Sequence, residues 1–239
     1  MVEEALVSEA PIRELFLAAE GDRRRDEIAV AAERMGVVTT RASDAVIRHL
    51  CATVTPQGVV GVVDFVDAPM DAAASASLVA VLVEVRDPGN AGAIVRAGDA
   101  AGAGAVVLTR SCVDLYNDKT VRSTTGSLFH LPVVRDVDSR RAIEQLKAGG
   151  LRVLAASARG EVSLDEIDLV RPTAFLFGNE SSGLDTGIED LADASVRVPM
   201  EGRAESLGVA SAAAVMLFEA ARQRRGAASP GAAGPGPRG

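Results

Sequence analysis

Three loops hold the residues best suited to chemistry, and each follows an apolar run. The first is Asp87-Pro88-Gly89-Asn90-Ala91-Gly92, continuing to Arg96. The second is Phe177-Gly178-Asn179-Glu180-Ser181-Ser182-Gly183-Leu184, and the third runs from Val198 through Met200, Glu201 and Arg203 to Ser206-Leu207-Gly208. Glycine lets backbone approach a ligand closely. A carboxamide, a guanidinium, a carboxylate and a hydroxyl (Asn90, Arg96, Glu180, Ser206) can orient a sugar hydroxyl or clamp a phosphate. Familiar nucleotide motifs fail. Neither Lys119 nor Lys147 sits in a P-loop, and the turn at Asp87–Gly92 lacks G-x-G-x-x-G spacing. Gly102-Ala103-Gly104 follows a helix and reads as its stop, and Gly178–Gly183 has its serine one place too late for a nucleophile elbow. Any one of the three loops could be a plain strand-to-helix turn; three with polar side chains point to a site.

The elements that must hold these loops are α/β. Strands are predicted at Leu78–Val85, Ala105–Leu108, Leu151–Ala156, Thr173–Phe177 and Ser195–Val198, with helices near Ala91–Ala101, Arg140–Ala148 and Leu207–Arg222. These strands are continuous apolar runs, the signature of a parallel sheet covered on both faces, and ligands sit at the carboxyl ends of such strands. Ahead of them, residues 1–67 read as a small α/β unit. It has strands at Arg13–Leu17, Val37–Thr39 and Val59–Val66 and helices at Asp22–Met35 and from a Ser43 or Asp44 cap to Leu50. Residues 68–77 are small and aperiodic and read as a linker to a domain over 78–225; the Gly-, Pro- and Ala-rich stretch 226–239 reads as a disordered tail.

Composition narrows the function. Residues 1–75 carry 13 acids and 7 bases, and the whole chain has net charge −8, so binding to nucleic acid must work through local arginine clusters. Arg23-Arg24-Arg25 is the densest basic run, but Asp22, Asp26 and Glu27 flank it, as on a solvated helix face. Cys51, Cys112, His49 and His130 are too dispersed for a structural metal site or a disulfide scaffold. No apolar run reaches membrane-spanning length, and Met1–Leu6 is acidic where a signal peptide would be basic. The expectation is a cytoplasmic protein that needs no metal and no membrane.

The three loops, in this order, resemble the three motifs of the SpoU (TrmH) family of RNA ribose 2′-O-methyltransferases. Asn90 and Arg96 match the first motif, Glu180 the second and Ser206 the third. The stretch Val113–Asn117 through Arg122-Ser123 to Gly126–Pro132 is similar to the family's intervening segment, and the resemblance covers about residues 11–225. It implies a trefoil-knotted parallel-sheet methyltransferase domain, a homodimer, S-adenosylmethionine as cofactor and RNA as substrate. Residues 11–67 resemble the ribosomal-protein-like domain that many members use for RNA binding. The resemblance places the cofactor against Gly178, Val198 and Leu207, with Met200 and Leu108 as walls; Arg122 could contact a phosphate. It gives Arg96 to deprotonation of the ribose hydroxyl. A guanidinium stays protonated, so clamping the neighbouring phosphate is physically easier, and both roles stand open. Ser206 could be a site hydroxyl, the cap of the last helix, or both.

Two departures accompany the resemblance. Gly208 stands where the family carries Asn, and the small domain's first strand is missing, Met1–Leu6 looking like the helix that follows it. Gly208 and the acidic small domain motivate an alternative: a catalytically weak or inactive relative that binds RNA or cofactor without efficient transfer. A small-molecule α/β enzyme is the third reading, and no other motif supports it. Ribosomal RNA is the favoured substrate over transfer RNA.

Overall fold

Seven parallel strands in the order β6-β5-β4-β9-β7-β10-β8 form the larger sheet of the computed structural model, which describes residues 1–20, 22–51 and 55–228. The strands are β4 (Leu78–Leu82), β5 (Ala105–Thr109), β6 (Val133–Val137), β7 (Arg152–Ala156), β8 (Val162–Ser163), β9 (Thr173–Phe177) and β10 (Ala194–Arg197). Alternate residues serve opposite faces. Leu78, Ala80 and Leu82 join Phe175, Phe177 and Leu108 under helices α5 (Pro88–Ala101) and α9 (Val209–Ala228), whereas Val79 and Val81 pack with Leu176 under α7 (Ser139–Ala148). Both faces are covered, so the strands read as unbroken apolar runs, and each fully buried Leu, Val or Phe contributes roughly 1.5–3 kcal/mol.

Local chemistry sets the helix that carries the first loop. The Asp87 carboxylate accepts from Asn90 N–H at 2.9 Å as an N-cap, Pro88 occupies the first turn, and Gly102 ends the helix at φ +76°. The helix therefore starts three residues before the predicted Ala91, because an Asp-Pro pair is itself a start signal. Inside it, a Cβ on Gly92 would lie 2.6 Å from the Thr120 carbonyl, so only glycine lets α6 (Asp118–Thr124) pack this closely. Sequence reading missed α6, β6, β8 and the short helix α8 (Thr186–Glu189); most of the other elements shift by a few residues at their ends. Residues 68–77, expected to be a linker, contain the one-turn helix α4 (Met70–Ala74) with Ala73 fully buried. The helix α9 runs through Ala228, into the expected tail; residues 229–239 lie outside the described residues.

The small unit has a mixed three-stranded sheet, order β2-β1-β3, from β1 (Ile12–Ala18), β2 (Val38–Ala42) and β3 (Val59–Val63). Helices α1 (Val2–Val7), α2 (Arg23–Arg34) and α3 (Asp44–Leu50) accompany it, and Ser43 caps α3.

Two polar seams join the units. Phe65 stacks on Tyr116 with centroids 4.2 Å apart, and the Tyr116 hydroxyl donates to Asp67 at 2.7 Å. The Arg135 side chain holds the same Asp67 at 2.8 Å. On the other side, His130 Nδ1 lies 2.8 Å from Asp99 and Nε2 3.2 Å from Glu4 of α1. Both neighbours are carboxylates, so only the imidazolium can donate from both nitrogens. The Asp99 hydrogen bond, with the Asp99 charge and Glu4 adding to it against some desolvation, raises the His130 pKa above its ordinary value. A raised folded-state pKa contributes stability that is complete below the unfolded value of about 6.5 and is lost as pH rises through the raised value. Wild type should therefore lose more Tm between pH 6 and pH 9 than His130→Gln. Solvent screening holds the difference to about 1 kcal/mol or less, roughly 2–4 °C in a chain of this size. Parallel pH profiles for the two proteins would refute the seam's contribution.

Candidate active site

The site begins where β4 ends. Val83 N–H donates to the Phe177 carbonyl at 2.8 Å, and Glu84 then takes φ +56°, a left-handed conformation that costs a non-glycine residue about 1 kcal/mol or more. The Asn179 carboxamide donates to the Glu84 carbonyl at 3.0 Å, which ties the strained residue to the second loop. Glu180 completes the tie. Its Oε1 accepts from Asp87 N–H at 3.0 Å and from the Asn90 side chain at 3.1 Å, and its Oε2 accepts from Arg86 N–H at 3.3 Å. Burial pushes the Glu180 carboxyl up, but these donors outweigh burial and hold it below the ordinary carboxylate range. Asp87 is also lowered, first by its bond from Asn90 N–H and then by Lys119, whose ammonium is 3.4 Å away.

The second loop is a tight hairpin. Asn179 and Gly183 exchange two backbone hydrogen bonds of 2.9 Å, and Gly183 has φ +72°. A Cβ on Gly178 would lie 2.3 Å from the Gly183 carbonyl carbon, so glycine is obligatory at the crossing. The hairpin forms one wall of a cavity of about 560 Å3 at the carboxyl ends of β7, β9 and β10. Phe177, Val196 and Val198 supply apolar surface from the strands, and Val209, Ala212 and Met216 supply it from α9. Met200, Glu205, Ser206 and Leu207 close it from the third loop, and Ser157 and Arg159 from the turn after β7.

The structure therefore brings Gly178, Glu180, Val198, Met200, Ser206 and Leu207 together around one cavity, with Asn90 joined to it through Glu180. Leu108 is not a wall of it. This side chain is buried on β5, paired with Leu82 in the core beneath α5, two strands away from β9 in the sheet. Arg96 is exposed on α5, outside the lining, and has no carboxylate at ion-pair distance among the described residues. Arg122 lies on α6, pairs loosely with Asp118 at 3.7 Å and faces a separate groove between the two units. Ser206 is not the cap of α9: the helix starts at Val209, and the Gly208 carbonyl accepts from Ala212 N–H at 2.9 Å. Sequence reasoning missed Asp87, Asn179 and Arg159. The Asp-Pro start signal marked the first; nothing in the local sequence marked the other two, whose positions depend on chain crossings.

A cavity at the carboxyl ends of parallel strands, ringed by glycine-bearing loops, defines a nucleotide-cofactor-binding α/β protein. This chain belongs to the SpoU rRNA Methylase family, whose sequence profile matches residues 77–218; the profile for RNA 2′-O ribose methyltransferase substrate binding matches residues 1–69. It is 34% identical to the 23S rRNA (guanosine(2553)-2′-O)-methyltransferase RlmP of Bacillus subtilis over 91% of this chain and 84% of the relative. Among solved structures, the AdoMet-bound rRNA methyltransferase from Sinorhizobium meliloti superposes with TM-score 0.81 at 33% identity, over 92% of this chain and 84% of the other. The SpoU methyltransferase AviRb from Streptomyces viridochromogenes, in complex with AdoMet, gives TM-score 0.82 at 28% identity, over 94% and 88% of the two chains.

The lining suits S-adenosylmethionine, the cofactor of this family. Its volume is within the range of small-ligand sites. Its apolar walls can take an adenine, and the carboxylates of Glu180, Glu189 and Glu205 match a ligand with a sulfonium and an ammonium. Among the described residues, no group of His, Cys, Asp or Glu is arranged to hold a metal, and no helix is long and apolar enough to cross a membrane.

Gly208, where the family carries Asn, has room for a side chain. No heavy atom lies within 4 Å of the added Cβ, and its φ is outside the left-handed region. It is also the N-cap of α9, where Asn is favoured over Gly by a few tenths of a kcal/mol. Gly208→Asn should keep or slightly raise Tm and should leave single-turnover methyl transfer unchanged or faster. A folded variant at least tenfold slower, a loss of about 1.4 kcal/mol of barrier lowering, would show that this chain uses Gly208 for its own geometry.

Proposed function

We propose that this protein methylates the 2′-hydroxyl of a ribose in ribosomal RNA, using S-adenosylmethionine, in the cytoplasm and as a homodimer. The observation that carries the reading is the Glu180 carboxylate, which fastens the loop of Asn90 to the loop of Gly178 at the mouth of the cavity that Ser206 and Leu207 close. When bound, the cofactor supplies an electrophilic sulfonium methyl. The chain's own residues position the acceptor. Arg96, exposed nearly two turns along α5 from Asn90 and without an ion-pair partner among the described residues, clamps the phosphate beside the target ribose; a guanidinium remains charged at neutral pH and holds phosphate oxygens bidentately. Asn90, with its carboxamide N–H already donated to Glu180, offers its carbonyl oxygen to the ribose hydroxyl. Ser206 adds a hydroxyl from the opposite wall. Gly178, Val198, Leu207 and Met200 hold the cofactor. Most of the rate comes from this positioning, since in-line approach is the main requirement.

Several features support the remaining parts. Val215 and Phe218 are exposed on α9, a helical step apart on the same face, and suit a second copy of the chain. The close backbone crossings at Gly178 with Gly183 and at Gly160 with Val196 support a trefoil-knotted path. Arg122 faces the groove between the units alongside Arg24 and Arg25, where an RNA phosphate fits. The relatives from Bacillus subtilis and Sinorhizobium meliloti are rRNA methyltransferases, which favours that substrate over transfer RNA.

Labelled methyl transfer to ribosomal RNA, followed by mapping of ribose methylation in a deletion strain, tests the reading. Arg96→Ala should lose transfer by over a hundredfold, about 3 kcal/mol of transition-state stabilisation, while calorimetry finds cofactor affinity within a few-fold of wild type. Residual activity above about a tenth of wild type, under 1.4 kcal/mol of loss, would remove Arg96 from the site. Light scattering should give twice the monomer mass at micromolar concentration; a monomer would refute the dimer.

A further inference from the structure

The charges around the cavity are unequal in a way that assigns a role to the turn after β7. Glu180, Glu189 and Glu205 contribute carboxylates to the lining, and Arg159 contributes the one guanidinium, there being no lysine or histidine among the lining residues. Arg159 is exposed, and none of these carboxylates, nor any other among the described residues, lies at ion-pair distance from it. Its backbone, in contrast, is fixed. Gly160 N–H closes a turn onto the Ser157 carbonyl at 3.1 Å, and Ser157 N–H donates to the Val196 carbonyl at 3.0 Å. Gly160 is pressed against β10 so closely that a Cβ would lie 2.5 Å from the Val196 carbonyl carbon. The turn thus holds a cation at the cavity with no protein partner to neutralise it.

We propose that Arg159 binds the carboxylate of the methionyl tail of S-adenosylmethionine, and so orients that tail towards the turn after β7. The inference rests on the cofactor reading given above. That cofactor carries two positive centres and one carboxylate, and the lining offers carboxylates for the first and a single guanidinium for the second. A guanidinium takes a carboxylate through two parallel hydrogen bonds, which fixes direction as well as position. The product S-adenosylhomocysteine keeps the same tail and should be held the same way.

The test compares two ligands that differ at the tail. S-adenosylhomocysteine has the amino-acid carboxylate; 5′-methylthioadenosine has the same adenine, ribose and thioether without it. Calorimetry on the full-length protein should show Arg159→Ala weakening S-adenosylhomocysteine about tenfold, the scale of a charge-assisted hydrogen bond reduced by exposure to solvent. Methylthioadenosine should change by less than twofold, and Arg159→Lys should retain part of the preference. Equal loss for both ligands would mean that the substitution disturbs the turn and would overturn the assignment. So would S-adenosylhomocysteine affinity within twofold of wild type. Failure of wild type to bind either ligand is a different result, because it would overturn the cofactor reading itself.

Discussion

The site depends on one carboxylate. From the loop after β9, Glu180 reaches the segment that follows β4 through charge-assisted hydrogen bonds to two backbone N–H groups and to Asn90. Such bonds are each worth about 1.5–3 kcal/mol when shielded and less where solvent reaches them. Their effect here is geometric. The N–H groups of Arg86 and Asp87 face a fixed acceptor, Asp87 is thereby placed to cap α5, and α5 leaves the sheet in the direction that carries Arg96. Asn179 performs the complementary task from the same hairpin, donating to the Glu84 carbonyl and accepting from Ser181 N–H and Ser182 N–H. Backbone strain at Glu84 persists because these partners over-determine it.

Small residues make the crossings possible. The chain has no Trp, one Tyr and six Phe, so its core is built mainly from Ala, Val, Leu and Ile. That composition trades large buried areas for close backbone approach. Gly92 admits α6 against α5, and Gly178 admits the hairpin backbone against the end of β9. Interiors packed at crystal-like density tolerate no added methyl at such points without a shift. The same economy leaves the cavity open: the residues between Met200 and Gly208 form no regular element and are exposed, so substrate or a second chain has access from that side.

How much of this could be read from the amino-acid sequence differs by element and has physical causes. The central strands were legible because burial on both faces makes each a continuous apolar run, as at Leu78–Leu82 and Thr173–Phe177. β6 was not, because Arg135 and Asp136 interrupt it at the sheet edge, where a strand needs only one neighbour. α4 was not, because five residues, three of them alanine, are too few to carry a period. At the candidate site, ordered motifs singled out Asn90, Glu180 and Ser206, and the structure joins the first two at 3.1 Å. Leu108 was misplaced because an apolar residue at a strand end looks the same whether it borders a ligand or a helix; the sheet order decides, and it puts β5 beyond β4 from the cavity. Asn179 and Arg159 act across chain crossings between segments far apart in sequence, which no local pattern encodes.

The acidity of the chain finds its place in the same scheme. A net charge of −8 opposes RNA at long range, yet much of the acid on the described surface is committed to internal ties. Glu3 holds Arg24, Glu4 and Asp99 hold His130, Asp67 holds Arg135, and Asp193 holds Lys147. Ion pairs of this kind present a dipole in place of a free charge, and at about 0.15 M salt the remaining field decays over about 8 Å. Two cations stand apart from these ties: Arg96, exposed on α5 outside the cavity lining, and Arg122 on α6, loosely paired with Asp118 and facing the groove between the units. Helices α5 and α6 are locked together through Gly92, so the backbone segments that carry these two arginines keep a fixed separation; in the function proposed above, recognition of RNA would rest on where such cations are held and not on the total charge.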